Sequence, residues 1–175
     1  MGWSSMAHGY VSPYQFNGQK NFGYRLSMGY LFPLSDTFKF GPEVGYGYYG
    51  KISYKNQTNL VVYYESYGWN TVANLTYKMT PKIDLALKGG VTEISQHYDI
   101  AGPNVTTGGF YQRAFSPTFI FTSSYYLSKH ASVGISYTHI FANSAPLTSD
   151  SQFTFTNVNQ ICSVNAAMVV ITYSV

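Results

Sequence analysis

"NFGYRLSMGY", residues 21–30, alternates strictly. Phe22, Tyr24, Leu26, Met28 and Tyr30 are large and apolar or aromatic, while Gly23, Arg25, Ser27 and Gly29 lie between them. A period of two is the signature of a β-strand with two unlike faces. One face of this strand meets oil and the other does not, and which kind of oil decides the fold.

Composition narrows the choice. The chain has 175 residues, enough for one domain, and only 10% of them are charged. A typical soluble domain carries about 25% charged residues. Aromatics reach 18%, with 18 tyrosines and 16 glycines, yet the mean hydropathy is −0.09. The longest apolar run, Ala166 to Ile171, is far short of the ~18 residues of a membrane helix. Low charge, no apolar helix and abundant Tyr and Gly predict a transmembrane β-barrel, which hides its hydrophobicity in alternation. The net charge of +3 with no basic run argues against nucleic acid. Cys162 is alone and forms no internal disulfide. The start "MGWSSMAHGY" lacks the basic and apolar regions of a signal peptide, so a mature form is expected. The N-x-T triplets at Asn56, Asn74 and Asn104 are read as chance.

Alternation recurs along the whole chain and predicts eight strands, at about 2–11, 21–32, 38–54, 60–78, 83–98, 115–127, 131–142 and 160–175. Three connections are tight turns, "PLSD", "MTPK" and "LSKH"; four are expected to be long, at 12–20, 55–59, 99–114 and 143–159. Short turns at one end and long loops at the other define an all-β, eight-stranded antiparallel up-and-down transmembrane β-barrel. The third and fourth strands exceed a bilayer span and are expected to continue as a hairpin above it.

Sorting by parity assigns the faces. Phe22 to Tyr30, Phe38 to Tyr48, Tyr67 to Tyr77, Ile83 to Leu87, Phe119 to Tyr125, Val133 to Phe141 and Val169 to Val175 give, at every second residue, a set without charge. The opposite set is Gly, Ser, Thr and Asn, and it holds every charge within the spans: Arg25, Lys39, Glu43, Lys78, Asp84 and Lys88. An Arg or Lys facing mid-bilayer lipid costs ~2–4 kcal/mol, so charges belong inside. The charged set is the predicted lumen cluster. Tyr30, Tyr46, Tyr48, Tyr67, Trp69, Tyr77, Tyr137 and Tyr173 fall near strand ends and are the predicted aromatic girdles at the two lipid interfaces. The first strand fits neither parity, because of Trp3 and His8.

"EVGYGYYGKISYK" (43–55), "TPKIDLALKGG" (80–90), "SPTFIFTSSYYLS" (116–128) and "VVITYSV" (169–175) together resemble the strands of the transmembrane domain of the outer-membrane protein A family. The resemblance covers nearly the whole chain. It implies a bacterial outer-membrane barrel with extracellular loops, involved in adhesion or envelope integrity. The family's separate peptidoglycan-binding domain has no counterpart here. The family's lumen holds a cluster of ion pairs. Its strand-three glutamate matches Glu43, and a strand-five arginine matches Lys88. Its other three members fall at Asn74, Ser124 and Gly134, so the family's gate does not carry over intact. The family's barrels commonly end in an aromatic residue, whereas this chain ends Tyr173-Ser174-Val175.

Two cross-hairpin pairs are therefore expected in place of that cluster. Counting outward from Leu34 and Ser35 sets Glu43 opposite residues 25–27, within reach of Arg25. Counting around "MTPK" sets Asp84 opposite Lys78 and Lys88 near Asn74. No catalytic, cofactor or metal site is expected. The four histidines (8, 97, 130, 139) lack metal-ligand spacing, and "HIFANS" after His139 lacks the His-x-Ser of outer-membrane deacylases. The expected function is a monomeric, non-enzymatic surface protein of a Gram-negative envelope, contacting outer-membrane lipid and lipopolysaccharide. Its loops, rich in Tyr, Phe, Asn, Ser and Gly, suit an extracellular or host protein. The alternatives are a narrow porin-like pore and, more weakly, an outer-leaflet lipid-modifying enzyme. Eight strands leave an interior that side chains roughly fill, which favours the first reading.

Overall fold

Each alternating stretch is a strand in the computed structural model, which describes residues 2–12, 21–55, 61–102, 105–142, 161 and 163–174. The strands are β1 (Gly2–Ser12), β2 (Asn21–Tyr30), β3 (Phe38–Lys55), β4 (Val61–Thr80), β5 (Ile83–Gly102), β6 (Val105–Tyr126), β7 (Ala131–Ile140) and β8 (Val164–Ser174). Beyond Leu31, Phe32–Pro33 continues β2 along β3. Every strand pairs antiparallel with its sequence neighbours, and β1 pairs with β8, so the sheet closes on itself.

The register fixes the barrel's shape. The ladder row from Phe32 runs through Phe40, Leu75, Leu87, Phe121, Tyr137, Ala167 and Tyr10. It returns to β2 at Phe22, ten residues before it started. A stagger of that size over eight strands tilts them by roughly 40° and leaves a narrow lumen.

Hydroxyls shape all three tight turns. Ser35 Oγ accepts the Phe38 N–H at 3.0 Å, Thr80 Oγ1 accepts the Lys82 N–H at 3.2 Å, and Ser128 Oγ accepts the Ala131 N–H at 3.1 Å. These side chains replace the backbone partners that a tight turn cannot supply.

Two expectations about the elements need correction. Segment 99–114 is not a long loop. β5 runs to Gly102 and β6 starts at Val105, ten residues earlier than expected. His97, Asp99 and Arg113 break the apolar alternation there, so the parity signal stops although backbone pairing goes on. The second hairpin is centred on Asp36, so Glu43 stands opposite Gly29 rather than residues 25–27. The brief Phe32–Pro33 pairing lengthens this hairpin and moves the count. The loops expected at 12–20, 55–59 and 143–159 lie, apart from Ser12 and Lys55, outside the described residues, as do Cys162 and the side chains of Trp3 and His8.

The two faces of the sheet carry different residues. Tyr24, Leu26, Met28, Tyr30, Trp69, Leu87, Ile135 and Ile171 are exposed on the outside, and Arg25, Ser27, Glu43, Asn70, Asn74, Thr76, Asp84 and Lys88 are buried inside. No described helix is long and apolar enough to cross a membrane; the strands do so.

Candidate functional site

Among the described residues, Arg25, Glu43, Asp84 and Lys88 are charged side chains buried in the lumen. Glu43 projects inward from β3 with its side chain wholly buried. Arg25 Nη2 of β2 donates to Glu43 Oε1 at 2.7 Å, and Lys88 Nζ of β5 donates to Oε2 at 2.7 Å. Asn74 Nδ2 of β4 adds a bond to Oε2 at 3.2 Å. Arg25 Nη2 also reaches Asn70 Oδ1 at 2.7 Å, and Thr76 Oγ1 donates to Asn74 Oδ1 at 3.0 Å. Four strands thus contribute to one layer in which two cations share one carboxylate. Buried charge is tolerated when paired and hydrogen-bonded; all three charges here are paired, although Arg25 Nε and Asn70 Nδ2 have no partner among the described residues. Arg25 reaches Glu43 diagonally, because the register places it opposite Gly47.

Above this layer, toward the loop end, an apolar cluster stands among buried polar residues such as Thr92, Gln96, Thr118 and Thr138. Tyr49, Ile94, Ile140, Val164, Ala166 and Met168 pack into a buried cluster. Ile120 and Val72 are also buried, in register with Lys88 and Glu43 respectively. Sequence reading missed this layer. Its members sit at the inward parity reserved for polar residues; in "AAMVVITY" both faces are apolar and the contrast vanishes, whereas around Ile94 and Val164 it is reversed. Gly50, at φ 87°, forms a bulge that shifts the register between Tyr48 and Lys51. Tyr49 stays inside, while Lys51 is turned outward against the Tyr63 ring at 5.1 Å.

Below the layer, toward the turns, lies a cavity of about 60 Å³. Asp84 borders it and accepts a hydrogen bond from Tyr126 Oη at 2.7 Å. The expected Asp84–Lys78 ion pair is not formed. The two residues are in register, but Lys78 is the last paired residue before the turn bulge and its side chain is exposed to solvent. A solvated ammonium gains little from a carboxylate that already has a buried phenol. Lys39 is only half-buried at the same end, and among the described residues it has no ion pair.

The eight aromatics expected at the interfaces all point outward. Tyr46 packs on Trp69 with ring centroids 5.0 Å apart, and Tyr24 lies 5.6 Å from Tyr48. Near the opposite rim Phe38 and Tyr77 pair at 5.0 Å. Between the two levels the described outer face carries no charge; Glu93 and Arg113, 3.3 Å apart, mark its upper border. His139 is not a bare girdle residue. Its Nδ1 and Tyr137 Oη both bond Asn165 Oδ1, at 2.7 and 2.6 Å. Asn74, within one N-x-T triplet, is buried in the lumen.

β3 to β6 continue past the last described pairing of β7, Thr118 with Ile140. At 3.3 Å per residue, Val105 lies roughly 40 Å along β6 from Thr118. The outer face of this extension carries His97 stacked on Tyr111 at 4.2 Å, with Asp99 3.3 Å from His97.

An antiparallel barrel of eight tilted strands, with charge inside, a charge-free aromatic-bordered belt outside and tight turns at one end, is an outer-membrane barrel. A family model for the OmpA-like transmembrane domain matches residues 1–169, and the chain belongs to that family. Its place is the bacterial outer membrane. No curated protein sequence matches the chain. Among solved structures, Neisserial surface protein A is similar at a TM-score of 0.58 and 12% identity, covering 99% of this chain and 96% of that one. The attachment invasion locus protein Ail of Yersinia pestis, crystallised with the heparin analogue sucrose octasulfate, gives 0.57 and 11%, covering 98% and 97%. The N-terminal β-barrel domain of Pseudomonas aeruginosa OprF gives 0.51 and 15%, covering 98% and 96%. At these identities the likeness concerns the fold.

Proposed function

We propose that this protein is a closed, monomeric surface barrel whose projecting strands and loops contact molecules outside the cell, in adhesion or host interaction. The carrying observation is the doubly filled lumen. The Arg25–Glu43–Lys88 layer spans the interior at mid-height, and the Tyr49–Ile94–Ile140–Val164 layer closes it above. An ion crossing this barrel has to break both 2.7 Å charge-assisted bonds and pass the packed Tyr49–Ile94–Ile140–Val164 cluster. What remains for contact is the wall of β3 to β6 and the connections at that end, with Lys51, Tyr63, His97, Tyr111 and Arg113 on the outer face. Ail, a neighbour in fold, was crystallised with a heparin analogue, which supports a polyanionic or glycan-bearing partner as the first to try.

The lumen charges act here as a structural seal and the outward aromatics as lipid anchors. His139 serves the wall by bonding Asn165, and no nucleophile among the described residues accompanies it. The test has two arms. The refolded protein in planar bilayers is expected to show no steady single-channel conductance. Cells displaying it are expected to bind heparin-coated or host-cell surfaces, and to lose that binding when Arg113 and Lys51 become Ala. Steady conductance of the wild type would favour the porin-like alternative instead.

A further inference from the structure

Charge is unevenly spread along the barrel axis. Four of the ten Lys and Arg residues, Lys39, Lys78, Lys82 and Lys129, stand on or beside the three tight turns. Of the seven Asp and Glu, Asp36 alone is exposed at that rim; Asp84, at a similar height, is buried in the lumen on the Tyr126 hydroxyl. The other six cations, in the lumen and toward the loop end, are matched by six acids, so the whole formal charge of +3 belongs to the rim of tight turns. None of the four rim lysines forms an ion pair among the described residues.

The turns that carry them make one continuous edge. The Lys78 N–H donates to the Thr37 carbonyl at 2.7 Å, the Tyr126 N–H to the Lys82 carbonyl at 2.8 Å, and the Ser174 N–H to the His130 carbonyl at 2.7 Å. Each turn is thereby tied to the next strand, and the lysines follow an arc from β3 to β7. The same arc is apolar on its outer side. Leu34, Met79 and Leu127, one at each turn, are 64, 57 and 67% exposed. Lys82 Nζ lies 5.9 Å over the outward ring of Tyr125, so its charge is directed to the wall that lipid covers. The opposite border of the belt is different: there Arg113 stands 3.3 Å from Glu93, and His97 3.3 Å from Asp99.

We propose that the rim of tight turns binds the headgroups of anionic glycerophospholipids in the leaflet that surrounds it, through Lys78, Lys82 and Lys129. Lysine stems lie along apolar surface while their ammonium groups reach the headgroup phosphates, and each lysine near an anionic surface adds to the attraction. Leu34, Met79 and Leu127 enter the top of the acyl layer between them, which water alone would not favour. Lys39, half-buried at the lumen mouth, adds to the positive field. That this leaflet is the periplasmic one rests on the outward loop end proposed above; the binding itself does not.

Two reporters test it in the full chain. Leu127→Trp, with Trp3 and Trp69 replaced by Phe, keeps an apolar turn tip and reads lipid beside Lys129. A chain retaining only Trp69, opposite Glu93 in the register, reads the other border. Each is refolded in phosphatidylcholine vesicles carrying equal small fractions of brominated phosphatidylglycerol or brominated phosphatidylcholine, at low ionic strength. Half-maximal quenching of Leu127→Trp is expected at about fivefold less phosphatidylglycerol than phosphatidylcholine, the attraction of one lysine. Trp69 should show no preference. Lys78→Gln, Lys82→Gln and Lys129→Gln together should bring the turn-end preference to parity, as should high salt. Should that triple variant fail to refold, Lys129→Gln alone decides, and it should at least halve the preference. Equal quenching by the two lipids at Leu127→Trp, the same preference at Trp69, or a preference kept by the lysine variants would overturn the proposal. So would release by millimolar inorganic phosphate at constant ionic strength, which marks a site for free anions instead.

Discussion

Glu43 is the residue on which the interior turns, and removing its charge gives the sharpest test of the lumen. Among the described residues it is the only carboxylate in a layer with two cations, Arg25 and Lys88, each 2.7 Å from one of its oxygens. At an effective dielectric of about 20, each attraction is worth about 4 kcal/mol. Glu43→Gln removes both, leaves two cations facing each other, and recovers the desolvation of one carboxylate. For buried pairs broken on one side the balance is a loss of ~3–5 kcal/mol. Lys88→Met keeps the Arg25–Glu43 pair and removes the excess cation, so it should cost less, about 1–2 kcal/mol of packing and hydrogen bonding. Lys88→Met added to Glu43→Gln should restore some of the loss, because it removes the repulsion from Arg25. The assay is urea unfolding in phospholipid vesicles, followed by the outward-facing Trp69 and by gel mobility of unheated samples. A cost for Glu43→Gln no greater than that for Lys88→Met, or strictly additive changes in the double variant, would refute a shared, dehydrated carboxylate.

The outer face yields a second prediction: Leu87→Arg and Ile135→Arg, both on the exposed charge-free belt, should lower stability in vesicles by ~2–4 kcal/mol or block insertion. Ser124→Lys, facing the turn-end cavity opposite Asp84, should fold normally in the same refolding assay. A matched glycine pair tests close packing of the wall. A Cβ on Gly41 would collide with the Tyr30 carbonyl oxygen, so Gly41→Ala should cost ~1–3 kcal/mol, while Gly89→Ala, with nothing within 4 Å, should be neutral in urea titrations. Deleting 146–157 should leave the midpoint nearly unchanged, as surface insertions change loop entropy little. Deleting 100–113 removes paired strand and should lower it, and equal effects of the two deletions would contradict the hairpin.

The fold was legible because a bilayer enforces alternation on every residue it touches. Lipid on one side and a crowded lumen on the other make each strand binary, and a charge on the wrong face is too costly to persist. Hence residues 21–30 alone identify the strand type, and parity alone placed Arg25, Glu43, Asp84 and Lys88 inside with Trp69 and Leu87 outside. The OmpA-like family, too, was recognisable from short motifs in order. Where lipid ends, so does that constraint. Residues 99–114 lose their binary pattern yet keep their hydrogen bonds, and the strand was hidden. The apolar inner layer was hidden for another reason: Ile94, Ile140 and Val164 stand at the inward parity that the alternation reserved for small and polar residues, so the contrast is reversed there.

What the sequence by itself determined is therefore the alternation, the strand number and the inward side of Arg25, Glu43, Asp84 and Lys88. Only the closed barrel decided which charges meet. Pairing across strands depends on turn centre, bulge and stagger, quantities that accumulate around the ring. A hairpin centred on Asp36 instead of between Leu34 and Ser35, and a ten-residue stagger, carry Arg25 to Glu43 on a diagonal and bring Lys88 from two strands away onto the same carboxylate. Lys78 has the correct register with Asp84 yet no bond, because it ends at the solvent-exposed rim while Tyr126 arrives from inside. Parity is local and survives in a linear string; contact in a lumen is set by the geometry of closure.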